Sequence, residues 1–199
     1  AMLGWLLSSP PRFYAGAALE RTAYAAAFSH VGGGASGLMC AIHAGYNGHK
    51  VLVLEKGPKV GLKILVSGGG RCNFTNHGTD PKQHFLSDNP HFCISPLQRY
   101  PPDRFIEMVQ NHGIDYHEKK LGQLFCDHSA KDIVAMLLSE AQWAGVEIRT
   151  GMEVSAIKKN QEGSFTVSTA GKTYQAGKVV LASGGLSMPK IASDLAFRT

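Results

Sequence analysis

The residues whose types and spacing can do chemistry lie between Val31 and Glu55, in V-G-G-G-A-S-G-L-M-C-A-I-H-A-G-Y-N-G-H-K-V-L-V-L-E. Gly32, Gly34 and Gly37 stand in G-x-G-x-x-G register, and Glu55 follows eighteen residues after the third glycine. That pattern serves the capture of a dinucleotide's phosphates. Gly32 permits a tight turn out of a strand, Gly34 lets backbone approach a pyrophosphate, and Gly37 lets a helix pack closely on the sheet. Ala35 and Ser36 then open the helix, whose free N–H groups and partial positive charge favour phosphate. Glu55 can accept hydrogen bonds from an adenosine ribose, and Lys56 can flank the adenosine. A G-x-G-x-x-G alone is weak evidence, because Gly-rich turns are common. Here the helix, the buried V-L-V-L strand and the terminal acid all fall where a βαβ unit requires them.

A second glycine run follows in K-G-P-K-V-G-L-K-I-L-V-S-G-G-G-R-C-N-F-T-N, from Lys56 to Asn76. Gly68, Gly69 and Gly70 sit between Ser67 and the Arg71-Cys72-Asn73 continuation. Such a run costs backbone entropy and adds nothing to a core. It suits a place where backbone meets a flat ligand, or where successive N–H groups form an anion-binding nest. A third candidate is Ser183-Gly184-Gly185, which ends the apolar stretch Val179 to Ala182.

No residue qualifies as a general acid or base, so the catalytic residues are unknown from sequence. Cys40, Cys72, Cys93 and Cys126 have no C-x-x-C or C-x-x-x-x-C spacing, which gives no support for dithiol–disulfide chemistry and no metal ligand set. They read as reduced, partly buried thiols of a cytoplasmic protein, and Cys72 reads as a packing residue rather than a redox one. The nine histidines are equally dispersed, so no metal site is expected.

The elements that must position these residues can be read in order. A-A-A-F-S-H-V should be the first core strand, but it is a poor one, since Ser29 and His30 interrupt it. Either that strand is marginal or foreign sequence replaces the natural N-terminus, and the second is the expectation. Ser95-Pro96 reads as an N-cap and first helical residue. Pro101-Pro102 opens a helix through Phe105, Ile106 and Val109, closed by Gly113. Ser129 to Asp132 is a capping box, followed by the apolar face Ile133, Leu137, Ala141 and Ala144, with Gly145 ending the helix. Val146 to Ile148 should be a third parallel strand. E-V-S-A-I, F-T-V-S-T and K-T-Y-Q-A alternate as a β-meander with turns at Gln161–Gly163 and Ala170–Gly171. Val179 to Ala182 is the next buried strand.

Apolar residues make up 44% of the chain and charged residues 18%, ordinary for a globular α/β protein. The net charge is +5, but the basic residues are scattered and do not alternate with aromatics. Nucleic acid is therefore not expected as a partner. No apolar run is long enough for a membrane span, and A-M-L-G-W-L-L-S-S-P-P lacks the basic start of a signal peptide. No specific protein partner can be inferred.

Several of these segments carry a resemblance. L-K-I-L-V-S-G-G-G-R-C-N-F-T-N (Leu62 to Asn76) is similar to the signature of the BaiN/YhiN-type flavoproteins. Y-H-E-K-K-L-G-Q-L-F-C-D-H-S-A-K-D-I-V (Tyr116 to Val134) resembles the same family's middle segment. So does V-V-L-A-S-G-G-L-S-M-P-K (Val179 to Lys190), where the family usually has A-T-G-G. With the first glycine motif, four segments stand in the family's order, spanning Val31 to Lys190. The resemblance implies FAD as cofactor, NAD(P)H as electron donor, and an acceptor that is an unidentified small molecule. It implies an α/β, Rossmann-like domain in which a parallel sheet with helices carries a β-meander.

On that layout Gly32, Gly34, Ala35, Ser36 and Gly37 take the pyrophosphate. Lys63 and the Ser67 to Asn73 loop lie along the phosphate, ribityl or isoalloxazine portion. Val154 presents its backbone to the adenine, and Ser183, Gly184 and Gly185 close over the cofactor. Residues 1–25 form an atypical extension, 26–190 the FAD-binding portion, and 191–199 a tail where a substrate domain would begin. Roughly the first half of such a protein is then present. Two other readings stand beside this one, a non-catalytic dinucleotide-binding fragment and an NAD-only Rossmann dehydrogenase.

Overall fold

The computed structural model describes residues 24–185. Most of the expected N-terminal extension and the whole C-terminal tail lie outside the described residues. In chain order the elements are β1 (Tyr24–Val31), α1 (Ala35–Tyr46), β2 (Val51–Leu54), α2 (Leu62–Val66), β3 (Asn73–Asn76), α3 (Ile94–Arg99) and α4 (Pro102–Asn111). Then follow β4 (Tyr116–Glu118), β5 (Gln123–Cys126), α5 (Ala130–Trp143), β6 (Glu147–Arg149), β7 (Val154–Lys159), β8 (Phe165–Thr169) and β9 (Lys172–Leu181).

Two sheets result. The larger has six strands in the order β6-β2-β1-β9-β8-β7, and the smaller has three in the order β3-β5-β4. In the larger sheet β6, β2, β1 and β9 run parallel, while β7, β8 and the start of β9 form an antiparallel meander. The crossover β1–α1–β2 is the βαβ unit that the glycine spacing requires, and β2 is buried at all four positions.

Helix α5 begins as its sequence dictates. Lys131 N–H donates to Ser129 Oγ at 3.1 Å, and Ser129 N–H donates back to Asp132 Oδ2 at 3.2 Å. Its buried face, with Ile133, Val134, Met136, Leu137 and Ala141, packs with Leu38 and Ile42 of α1 and Val109 of α4 in one core. A second core, on Val31, Leu52, Leu54, Val154, Val167 and Tyr174, joins the parallel strands to the meander.

Four expectations change. The meander's last strand and the apolar Val179–Ala182 stretch are one ten-residue strand, β9. Its first half pairs with β8 as far as Ala176, and it pairs with β1 as far as Leu181. Gly177 gives no alternation signal, which splits the pattern in sequence without breaking the backbone. The helix expected to start at Ser95-Pro96 starts earlier, at Ile94 with Cys93 as cap, and Leu97 N–H donates to the Cys93 carbonyl at 3.1 Å. Proline is tolerated anywhere in a first helical turn, because those N–H groups have no intrahelical partner. The third parallel strand starts at Glu147, since Val146 N–H is taken by the Ala141 carbonyl of the helix end. The small sheet was not expected: Asn73 to Asn76 is a strand paired with β5, not open loop.

Strand β1 forms in spite of Ser29 and His30, because ladders on both edges satisfy its backbone. Both side chains are fully buried, and Ser29 Oγ and both His30 ring nitrogens have no hydrogen-bond partner among the described residues. Such groups are costly. Burial pushes His30 down from 6.5 to about 4. The unfolded chain therefore binds one more proton between those values, so this stability is whole above about 6.5 and is lost as pH falls toward 4. His30→Val should raise the urea midpoint at pH 7.5. It should also remove a decline on the order of 2 kcal/mol between pH 7 and pH 4.5. Parallel pH profiles for the two proteins would contradict the assignment.

Candidate functional site

The site grows from the point where β1 ends. Gly32 has φ +112°, and a Cβ there would lie 2.3 Å from the Ala182 carbonyl oxygen at the end of β9. A Cβ on Gly37 would lie 1.9 Å from the Gly32 carbonyl oxygen. These two glycines press β1, β9 and the first turn of α1 together. Gly34 is different: a Cβ there meets nothing within 4 Å. It caps α1 with extended backbone, no side chain among the described residues caps the helix, and no acid stands in its first turn. The helix N-terminus therefore opens into space with its N–H groups available.

That space is a cleft of about 660 Å³. Of the residues singled out in sequence, Gly32, Gly34, Ala35, Ser36, Glu55, Lys56, Lys63, Val154, Ser183 and Gly184 line it. Gly37 stands behind it, as the contact that seats α1. Gly185 does not line the cleft, but its carbonyl accepts from Nζ of the lining residue Lys63 at 3.0 Å. The Ser67 to Asn73 segment does not line the cleft. It lies beyond the far end of α2, where Gly68, Gly69 and Gly70 take φ of 57°, 68° and 86°. Cys72 follows at φ 51°, and its N–H donates to the Ser67 carbonyl at 3.1 Å.

This winding turns the Cys72 side chain into the core beside Cys126 and leaves Gly68, Gly69, Arg71 and Asn73 exposed. Burial pushes the Cys72 thiol up and the Cys126 thiol to about 12, so neither supplies a thiolate near neutral pH.

Three features escaped the sequence reading. The first is Gly33, which stood as a free position between two motif glycines. A Cβ there would meet Val60 Cγ1 at 2.6 Å. Its N–H donates to Glu55 Oε2 at 2.6 Å, and its carbonyl accepts from Gly61 N–H at 2.8 Å. The run of three glycines was the available signal. The second is the other half of Glu55, whose Oε1 accepts from Gly57 N–H at 2.7 Å. The acid thus braces the loops on both sides of the cleft.

The third is the seam that brings the meander to the cleft. Gly151 N–H donates to the Gly57 carbonyl at 2.9 Å and Met152 N–H to the Glu55 carbonyl at 2.8 Å. Lys56 pairs with Glu153 at 2.7 Å on the exposed rim. Among the described residues, no three histidine, cysteine or acidic side chains are grouped to hold a metal ion, and no helix is long and apolar enough to cross a membrane.

The arrangement can hold an extended, anionic, hydrogen-bonding ligand. Ser183 Oγ, on the cleft wall, is a buried polar atom with no partner among the described residues. With the open cradle at Gly34 it fits a phosphate-bearing group. The glycines separate folding from binding. Gly34→Val should leave the melting temperature within a few degrees of the parent and abolish FAD binding in a fluorescence titration. Gly37→Val should fail to give a cooperative thermal transition at all. Undiminished FAD affinity in Gly34→Val would remove the cradle from the site.

Comparison with known proteins gives the family and the fold. The family model of the HI0933-like protein Rossmann domain matches residues 28–198. The ribosomal RNA dihydrouridine synthase of Escherichia coli K12 is 48% identical over 164 residues, covering 82% of this chain and 40% of that protein. A 3-dehydro-bile acid delta(4,6)-reductase of Clostridium scindens is 31% identical over 167 residues, again covering 82% of the chain and 40% of the relative. The chain thus spans about 40% of the length of these relatives. The solved structure of glycine oxidase from Geobacillus kaustophilus superposes with a TM-score of 0.56 at 18% identity, over 81% of this chain and 56% of that one, which shows the fold alone. On the extent of the family match, the chain belongs to the HI0933-like family and carries its flavoprotein Rossmann domain.

Proposed function

We propose that this chain is the FAD-holding part of an oxidoreductase that reduces a carbon–carbon double bond conjugated to a carbonyl. The carrying observation is the cleft: it is lined by an uncapped helix N-terminus at Gly34, an open backbone cradle and a Ser183 Oγ that has no partner among the described residues. Bound there, FAD would supply two-electron hydride chemistry, with NAD(P)H as donor. The chain's own residues bind and orient it. Backbone N–H groups of residues 34–36 would take the pyrophosphate, and Glu55 has lone pairs left over for a ribose. Met152 to Val154 would offer backbone toward the adenine. Lys63 would balance phosphate charge, and the exposed glycine turn after α2 would approach the flavin end.

The substrate class comes from the relatives' chemistry. A dihydrouridine synthase and a 3-dehydro-bile acid delta(4,6)-reductase act on different molecules, by name. Both reactions concern a double bond in conjugation with a carbonyl. The higher identity to the ribosomal RNA enzyme favours a uracil ring in RNA as the acceptor for the whole protein. That choice sets aside the expectation drawn from scattered basic residues, which speaks to non-specific affinity rather than to one nucleotide in a pocket. A cytoplasmic site of action accords with it.

Two measurements test the proposal. The AMP half of FAD has about two dozen heavy atoms, worth roughly 7 kcal/mol at about 0.3 kcal/mol per atom. The isolated chain should therefore bind FAD with Kd on the order of 10 μM and lose its colour on gel filtration. Stoichiometric FAD after purification would mean that the flavin end is also fully held. For the activity, the complete protein carrying this chain is loaded with FAD and given NAD(P)H and uridine-containing ribosomal RNA. Dihydrouridine formation with matching NAD(P)H consumption is expected. Consumption with an enone such as a 3-keto-Δ4 steroid but not with RNA would move the substrate to the small-molecule branch.

A further inference from the structure

The β4–β5 hairpin tip is not part of the cleft, yet it is built with unusual care. Its residues are Lys119, Lys120, Leu121 and Gly122. Leu121 is 89% exposed and has φ +59°. Cys72 and Leu121 are the two non-glycine residues with positive φ among the described residues, and both belong to the small-sheet region. A bulky apolar side chain held in left-handed backbone, in water, gains nothing from folding.

The tip is nevertheless fixed. Asn76 Nδ2 donates to the Leu121 carbonyl at 3.4 Å, His77 N–H donates to the Gly122 carbonyl at 2.8 Å, and Lys119 N–H closes the hairpin on the Gln123 carbonyl at 2.8 Å. A Cβ on Gly122 would lie 2.9 Å from the His77 carbonyl oxygen, so β3 supports the tip from beneath.

Charge surrounds it. Lys119 Nζ lies 4.0 Å above the Phe125 ring, and Lys119, Lys120 and Arg71 are exposed and in no ion pair with the described residues. The hairpin's base adjoins the glycine turn: Cys126 N–H donates to the Arg71 carbonyl at 3.0 Å, and a Cβ on Gly68 would sit 2.7 Å from the Phe125 ring. Cations and an apolar point therefore flank the turn assigned to the flavin end.

We propose that this tip engages the RNA substrate, with Leu121 filling the gap left when the target uridine is drawn out of its stack and with Lys119 and Lys120 on flanking phosphates. The inference rests on the reading of an RNA uridine as acceptor. It supplies what that reading lacks. Both faces of a stacked uracil are covered by its neighbours, so its double bond can meet a flat cofactor only after extrusion. Apolar wedges inserted between base steps unstack them in nucleic-acid-bending proteins. A flexible tip would lose the opening free energy to its own disorder, which is why the clamps from Asn76 and His77 matter.

The test uses the complete protein carrying this chain, loaded with FAD, and an RNA stem-loop with one uridine beside a 2-aminopurine. Wild-type protein should bind and raise the 2-aminopurine fluorescence as the neighbour unstacks. Leu121→Ala and Leu121→Gly should bind within about twofold of wild type yet lose most of that rise. Leu121→Gly, relieved of its backbone strain, should also melt higher. Lys119→Ala with Lys120→Ala should weaken binding at least tenfold at low salt and reduce the salt slope by about 1.5. Lys158→Ala with Lys159→Ala, an exposed pair on β7, should change neither.

Full unstacking by Leu121→Ala, or equal weakening by the two lysine pairs, would overturn the tip assignment while leaving the substrate intact. No RNA binding by wild-type protein that still reduces a 3-keto-Δ4 steroid would overturn the RNA substrate, and the tip assignment with it.

Discussion

Three backbones meet at Gly32, and the site exists because nothing but hydrogen fits between them. The end of β1, the end of β9 and the first turn of α1 approach so closely that a methyl group at Gly32 or Gly37 would overlap a carbonyl oxygen. Separating them by the width of a side chain would pull the helix N-terminus away from the sheet edge. The helix dipole acts within about a turn of its end, so that separation would cost the anion field as well as the packing. Gly34 answers to another constraint: its Cβ would point into the cleft, where only a ligand can object.

Glu55 makes the second condition. Its carboxylate takes one N–H from the Gly33 side and one from the Gly57 side, so a half-buried charge is satisfied by the loops that form the cleft's rim. A carboxylate accepts about four hydrogen bonds, so bracing the loops leaves capacity for a ligand. The nearby Lys56–Glu153 pair is a weaker device, since both side chains are largely exposed and water screens them.

What the sequence made legible follows from how local each signal is. The first glycine motif, the V-L-V-L strand and the Ser129 box are written within a few residues, and their geometry is as the spacing requires. The role of Gly33 depends on Val60, and the small sheet depends on pairing Asn73–Asn76 with Gln123–Cys126 across some fifty positions. No local pattern announces that pairing. His30 shows the opposite error: it broke the apolar run expected of a central strand, yet pairing on both edges outweighed one unsatisfied ring.

The glycine turn after α2 shows how backbone strain can shape a surface. Gly68, Gly69 and Gly70 take three successive left-handed steps, and after Arg71 at φ −107° Cys72 takes a fourth that would ordinarily be left to glycine. Because its side chain goes into the core, the turn is anchored from inside. Its outer face at Gly69 then carries no side chain, and a Cβ there would meet nothing within 4 Å, whereas one on Gly68 would run into the Phe125 ring. A surface of bare peptide is one that a planar ring can approach to van der Waals contact. An L side chain at Gly69 would stand in the way even though nothing in the fold crowds it. The buried thiol thus serves the exposed face opposite it through the backbone rather than through its sulfur chemistry, in keeping with burial that keeps it protonated.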